Sequence, residues 1–284
     1  MIYVSTGGFK ELNCSESINL FLKNGIKNIE LSGGKFIENP YDIIRNYLKN
    51  SKIQLHNYFP PAKNPFVLNF CSMNQDTIEN SKQIIKKNIE FTKEIGQKYV
   101  SFHAGFLVDL KAQDLGKSKK KFEVMEKKKG LNNFLKHVED LSIYAEKYNV
   151  EILIENNVIG KSNYNLFEKN PFLMTTVDEM VEMMDLTPNN INLLLDVGHL
   201  KVSSQILGFD KFDVFRKCSK WIKGLHISDN DGYEDNNQPI KKSSWFNNKL
   251  PKVDFYTLEV YSKNLDLIKE QIKILEDMII KNEH

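Results

Sequence analysis

The sequence predicts an α/β protein, a single (β/α)8 barrel spanning residues 1–284. Three observations predict it. Eight short apolar, β-rich runs recur from one end of the chain to the other. Longer polar segments of helical periodicity separate them, the pattern of right-handed βαβ units around a parallel sheet. The length of 284 residues fits a barrel, which uses about 250 residues as one domain.

The eight runs lie at 2–5, 28–31, 53–56, 99–103, 151–155, 192–196, 222–226 and 255–259. The clearest helical segments lie at 15–24, 77–95, 132–148, 177–186 and 265–279. An open doubly wound sheet is the alternative, but no glycine-rich GxGxxG follows the first strand. Gly7-Gly8 and Gly33-Gly34 read as loop signals. Residues 57–73, with Pro60-Pro61, Pro65, Phe59, Phe66 and Phe70, read as a structured loop. Residues 111–129 carry Lys119-Lys120-Lys121 and Lys127-Lys128-Lys129. That segment reads either as a solvated loop or helix face, or as a lid carrying positive charge.

Composition narrows the function. Thirty-nine Lys plus Arg against 37 Asp plus Glu leave a net charge of +2, without the basic excess expected of a nucleic-acid binder. The three cysteines, Cys14, Cys71 and Cys218, are far apart and form no CxxC, so they read as buried small hydrophobes in a reducing compartment. No run is long and apolar enough to span a membrane and no signal peptide is read, so a cytoplasmic location is expected.

Side chains alternate along a strand, so counting back from each strand end separates two faces. One face is mostly apolar. The other ends in an ionisable residue: Glu30, His56, His103, Glu155, Asp196, His226 or Glu259. In a barrel these residues converge on the C-terminal mouth, where active sites sit. His199 follows Asp196 closely, whereas His137 lies within a helical stretch and His284 ends the chain. Imidazoles and carboxylates together suit a divalent ion such as Zn²⁺, Mn²⁺, Co²⁺ or Fe²⁺. So many buried ionisable groups would be costly without a cation. Helix capping is the competing reading for strand-end acids. It fits Asp196 and Glu155 poorly, since a motif of its own follows Asp196 and Asn156 and Asn157 are available to cap after Glu155; it suits Asp229 and Asp231 better. Glu30 would either bind substrate or pair with a nearby base.

The stretches IQLHNYF, YVSFHAG, EILIENN, NLLLDVGHLKVSS, KGLHISDNDG and FYTLEVY, in that order, resemble the xylose isomerase-like TIM-barrel superfamily. It contains sugar and sugar-phosphate isomerases and epimerases, and the endonuclease IV type of AP endonuclease. The resemblance implies one divalent metal held by Glu155, Asp196, His226 and Glu259. It implies further metal ligands at His56 and His103, and a third set at His199 and Asp235. There Asn237 stands where the nuclease branch has histidine, which puts a three-metal site in doubt and leaves one or two ions. Substrate binding falls to Glu30, His103, His199 and Asn237. The function implied is a metal-dependent sugar isomerase or epimerase, with Glu155 and Glu259 moving a proton through an enediolate. An endonuclease IV-like nuclease, or another hydrolase with two metals, is the alternative. The expected partner is a small carbohydrate, with an anionic one favoured by the lysine segment; DNA and membranes are not expected, and homo-oligomers are left open.

Overall fold

A computed structural model describes residues 1–114 and 122–282. The strands are β1 Ile2–Ser5, β2 Asn28–Ser32, β3 Lys52–His56, β4 Tyr99–His103, β5 Glu151–Glu155, β6 Ile191–Asp196, β7 Ile222–Ile227 and β8 Phe255–Leu258. Each pairs in parallel with its sequence neighbours and β8 returns to β1, closing an eight-stranded barrel. The helices among the described residues are α1 Cys14–Lys23, α2 Pro40–Arg45, α3 Gln75–Glu94, α4 Lys127–Glu146, α5 Lys161–Phe167, α6 Val177–Leu186, α7 Val197–Leu207, α8 Asp213–Lys217 and α9 Leu265–Asn282. No helix among the described residues is long and apolar enough to cross a membrane.

Local chemistry sets the helix starts. Asn13 accepts from the Glu16 amide while Glu16 reaches back to the Asn13 amide, a reciprocal cap that starts α1 ahead of the periodic residues. Thr176 and Glu179 do the same for α6. Asn74 caps α3. Helix α4 starts at Lys127, so Lys127-Lys128-Lys129 form its first, exposed turn rather than part of a lid. Lys127 is ion-paired with Glu179 at 2.7 Å. Lys119-Lys120-Lys121 lie outside the described residues.

The alternation of faces produces two cores. Outward residues such as Ile29, Ile53, Val100, Ile152, Leu193 and Leu225 pack against the helices. A separate cluster of Tyr3, Leu153, Leu194 and Phe255, with Tyr99 against it, fills the barrel interior. All three cysteines are free and buried. Neighbouring strands share several registered pairs except at one junction: β3 and β4 share a single pair, His56 with Ser101. The His56 ring and the Ser101 hydroxyl bridge that junction at 2.9 Å.

Gly224 on β7 is glycine because of the interior core. A Cβ there would lie 2.3 Å from the Phe255 ring. Replacing Gly224 with Ala should therefore destabilise the protein by about 1–3 kcal/mol in urea unfolding, the usual penalty for overpacking. Trimming the ring with Phe255→Leu in the same chain should recover part of the loss. An unchanged midpoint for the single variant would refute this account.

Candidate metal centre

The strand-end residues meet at the C-terminal mouth, as the alternation predicts. Glu155, Asp196, His226 and Glu259 each place one donor atom within 4.8 Å of the others. His226 Nδ1 stands 3.0 Å from Glu155 Oε1, 3.1 Å from Glu259 Oε2 and 3.9 Å from Asp196 Oδ2. Donors bound about 2.1 Å from one ion stand roughly 3.0–3.4 Å apart, so the spacing suits a shared cation. His226 Nδ1, both Glu155 oxygens and Asp196 Oδ2 are buried without a hydrogen-bond partner. Unpaired buried polar atoms on this scale are costly. A divalent ion at their centre would satisfy all of them, and the residues present fit one.

Surrounding groups aim the donors. His226 Nε2 faces the Glu30 carboxylate at 3.2 Å, which directs the Nδ1 lone pair at the site. Glu30 is itself held by Gln54 at 2.6 Å and Thr257 at 3.0 Å. It is fully buried and does not line the cavity above. Of its two expected roles, the structure carries the pairing with a base rather than substrate binding. Asp196 corrects the sequence reading: it does cap a helix. Its Oδ1 accepts from the His199 amide at 2.7 Å and starts α7, while Oδ2 faces the donors. Asn156 is not a cap. It brackets the Asp196 backbone, accepting from the amide and donating to the carbonyl. Asn157 likewise donates to the carbonyls of Ala104, Gly105 and Leu173. Asp229 and Asp231 cap no helix either. Asp229 binds Lys201 and Ser244, and Asp231 organises the turn at Tyr233 and Glu234.

A second donor set shares Glu155. Its Oε2 lies 3.1 Å from His56 Nε2 and 3.3 Å from His103 Nδ1. The contact with Ser101 Oγ engages His56 Nδ1 and leaves Nε2 for the site. Further along the mouth, His199 Nδ1 meets the Asn156 carbonyl at 2.9 Å and Nε2 meets Asp235 Oδ2 at 3.2 Å. Asn237 has a left-handed backbone and lines the same cavity. The cavity holds about 540 Å³. Its polar wall includes His56, His103, His199, Asp235, Asn237 and Glu259, and the loop after β3 supplies an apolar wall of Tyr58, Pro65, Phe66, Val67 and Leu68.

Burial and neighbours set the charges. Burial pushes the Asp196 carboxyl up to about 7; His199 opposes this, while Glu155, Glu259 and Asp235 reinforce it. Burial would lower His226 and His199, but it is outweighed. Glu30, Glu155 and Glu259 hold His226 well above its usual value, and Asp196 and Asp235 do so for His199. Burial pushes His103 down to about 4. Burial would raise Glu155, yet His103, His226 and His56 hold it well below the usual range.

These directions predict a pH dependence for metal-depleted protein. Groups whose folded pKa is raised stabilise the fold below their unfolded pKa and lose that contribution as pH rises through the folded value. Asp196 completes its loss near pH 7, and His226 and His199 begin theirs above about 6.5. His103 is already neutral in the folded state across that window, and its opposing contribution, which grows as pH rises from about 4 to 6.5, is nearly complete where the window opens. Metal-depleted protein should lose stability as the pH rises from about 6.5 to 8.5. Added Mn²⁺ or Zn²⁺ should reverse the trend, because it binds the deprotonated ligands. Thermal melts with and without ion check this; a metal-free midpoint that rises with pH would contradict it.

Comparison with known proteins bears on the fold and the family. An uncharacterized protein of Methanocaldococcus jannaschii is 26% identical over 218 residues, covering 75% of this chain and 74% of that protein. Among solved structures, a D-tagatose 3-epimerase-like protein superposes with a TM-score of 0.73 at 20% identity, covering 99% of this chain and 98% of the other. The IolI protein with a bound zinc atom superposes with a TM-score of 0.68 at 16% identity, covering 99% and 98%. At these identities the superpositions speak for the fold. The family described as xylose isomerase-like TIM barrel matches residues 18–278, and the chain belongs to it.

Proposed function

We propose that this protein is a divalent-metal-dependent enzyme that isomerises or epimerises a small sugar or sugar phosphate by proton transfer beside a carbonyl. One observation carries the proposal. Four buried carboxylate and imidazole donors converge, and one of them, Glu259, lines a cavity of about 540 Å³ that is sized for a small molecule and walled partly by aromatic and aliphatic side chains. The likeness to a D-tagatose 3-epimerase-like protein is consistent with it.

When bound, the ion would act as a Lewis acid on the substrate carbonyl and offset negative charge on its oxygen. The chain's own groups would do the rest. Glu259 lines the cavity and would take a proton from the carbon beside the carbonyl, leaving an enediolate. Glu155 is the other member of the expected pair; it is fully buried and does not line the cavity, so returning a proton to carbon would require bound substrate to come within its reach. His103, His199 and Asn237 line the wall and would bind substrate hydroxyls. Lys10 is the one lysine or arginine among the described lining residues, and it would favour an anionic group on the substrate. Three carboxylates to one imidazole in the first donor set suit Mn²⁺, Co²⁺ or Zn²⁺. This chemistry fits the expected cytoplasmic setting.

A second reading has its own observation. Glu155 Oε2 lies between His56 Nε2 and His103 Nδ1, so both oxygens of this carboxylate would be spent on two ions. That arrangement favours a two-metal hydrolase, and it leaves Glu155 no free oxygen for proton transfer.

Two measurements separate the readings. Incubation with keto sugars in deuterated water should place solvent deuterium on the carbon beside the carbonyl. Glu259→Gln should lower that rate by roughly 10²–10⁴-fold while leaving the fold intact. Undiminished exchange in the variant would sink the assignment of Glu259. Elemental analysis showing two ions per chain, with no exchange into any keto sugar, would favour the hydrolase.

A further inference from the structure

Glu259 divides its two oxygens. Oε2 faces His226 Nδ1 at 3.1 Å, on the side of the donor set. Oε1 accepts a hydrogen bond from the Tyr261 hydroxyl at 2.9 Å. Tyr261 stands two residues on, so its side chain leaves the same face of the extended chain. Its amide donates to the Asn237 carbonyl at 3.0 Å, which ties it to the loop after β7.

What lies on the other side of the ring is unusual. Gly7 and Gly8, in the turn after β1, sit directly against Tyr261. A Cβ on Gly7 would fall 2.3 Å from the Tyr261 hydroxyl oxygen and 2.9 Å from Cζ. A Cβ on Gly8 would fall 3.2 Å from Tyr261 Cα and 3.3 Å from its Cβ. Neither glycine has a left-handed backbone. Turn geometry therefore does not require glycine at these two positions, but the space needed by the phenol does.

We propose that Tyr261 is a positioning residue for Glu259, and that Gly7 and Gly8 form the seat that admits its ring. The phenol occupies one lone pair of Oε1, so Glu259 would offer Oε2 to the donor set, and the second lone pair of Oε1 is what remains to take a proton. The inference rests on reading Glu259 as a metal ligand. Tyr261 is 37% exposed, so a methyl group on Gly7 can push the ring outward rather than break the fold. The hydrogen bond to Glu259 would then be lost with the ring still present.

The test is calorimetric titration of Mn²⁺ into the metal-depleted full chain. Supporting contacts behind a metal ligand typically matter by roughly 10–100-fold in affinity. Tyr261→Phe removes one oxygen and should weaken Mn²⁺ binding by about that factor. Gly7→Ala should weaken it similarly. The double variant should be no weaker than Tyr261→Phe alone, because both changes remove the same hydrogen bond. Ion-free thermal midpoints should stay with the parent protein, which a merely structural role for the ring would not predict for Gly7→Ala. Glu259→Gln separates the two levels. Equal Mn²⁺ affinity for parent and Glu259→Gln overturns the ligand reading. If Glu259→Gln weakens binding but Tyr261→Phe stays within about twofold, the positioning role is overturned. A double variant whose losses multiply overturns the link between Gly7 and Tyr261.

Discussion

Glu155 is a fully buried carboxylate with both oxygens against imidazole nitrogens from three different strands. The mouth of the barrel is organised around that contact. His226 meets Oε1, while His56 and His103 meet Oε2. Each neighbouring strand then supplies what holds these rings in place: Ser101 behind His56, Glu30 behind His226, and Asn156 clamping the Asp196 backbone beside them. Burying this many ionisable groups is affordable only where opposite charges or a cation compensate them. Without an ion the shifts follow this arrangement: the imidazoles draw Glu155 down, the carboxylates draw His226 and His199 up, and burial pushes Asp196 up.

The remainder of the barrel makes that concentration of charge tolerable. The helix-facing residues of the strands form the main apolar core, and a small second core plugs the interior below the site. Donor atoms are therefore carried on strands fixed from both faces, which is the condition for a preorganised site. Two donor sets sharing one carboxylate make Glu155 the group on which the two proposed chemistries would differ.

Much of this was legible because strands enforce a period of two. Counting back from His103, Glu155, Asp196, His226 and Glu259 separates the interior face correctly, and closure then brings their ends together. Helix α7 was not legible as a helix. Val197, Gly198, His199, Leu200, Val202, Ser203 and Ser204 are all buried, and Lys201 and Gln205 alone make a polar stripe, too short to mark the period, while the residue that starts the helix has a second role at the site. Asp196 does both jobs, one per oxygen, which residue type alone cannot reveal. The short helices α2, α5 and α8 lack the length to show periodicity. Tyr261 and the bracketing role of Asn156 depend on contacts between distant parts of the chain. Gly7-Gly8 showed as a glycine pair, but what the pair makes room for comes from residue 261.

The junction of β3 and β4 has a consequence of its own. These strands share one registered pair, so this seam is the place where the hydrogen-bonded cylinder is least zipped. His56 stands on one side of it and His103 on the other, both against the same Glu155 oxygen. An ion on that second donor set would rivet the cylinder shut across its weakest stave. Occupancy and breathing of the barrel wall then become linked quantities, and amide exchange along the two strands reads them together.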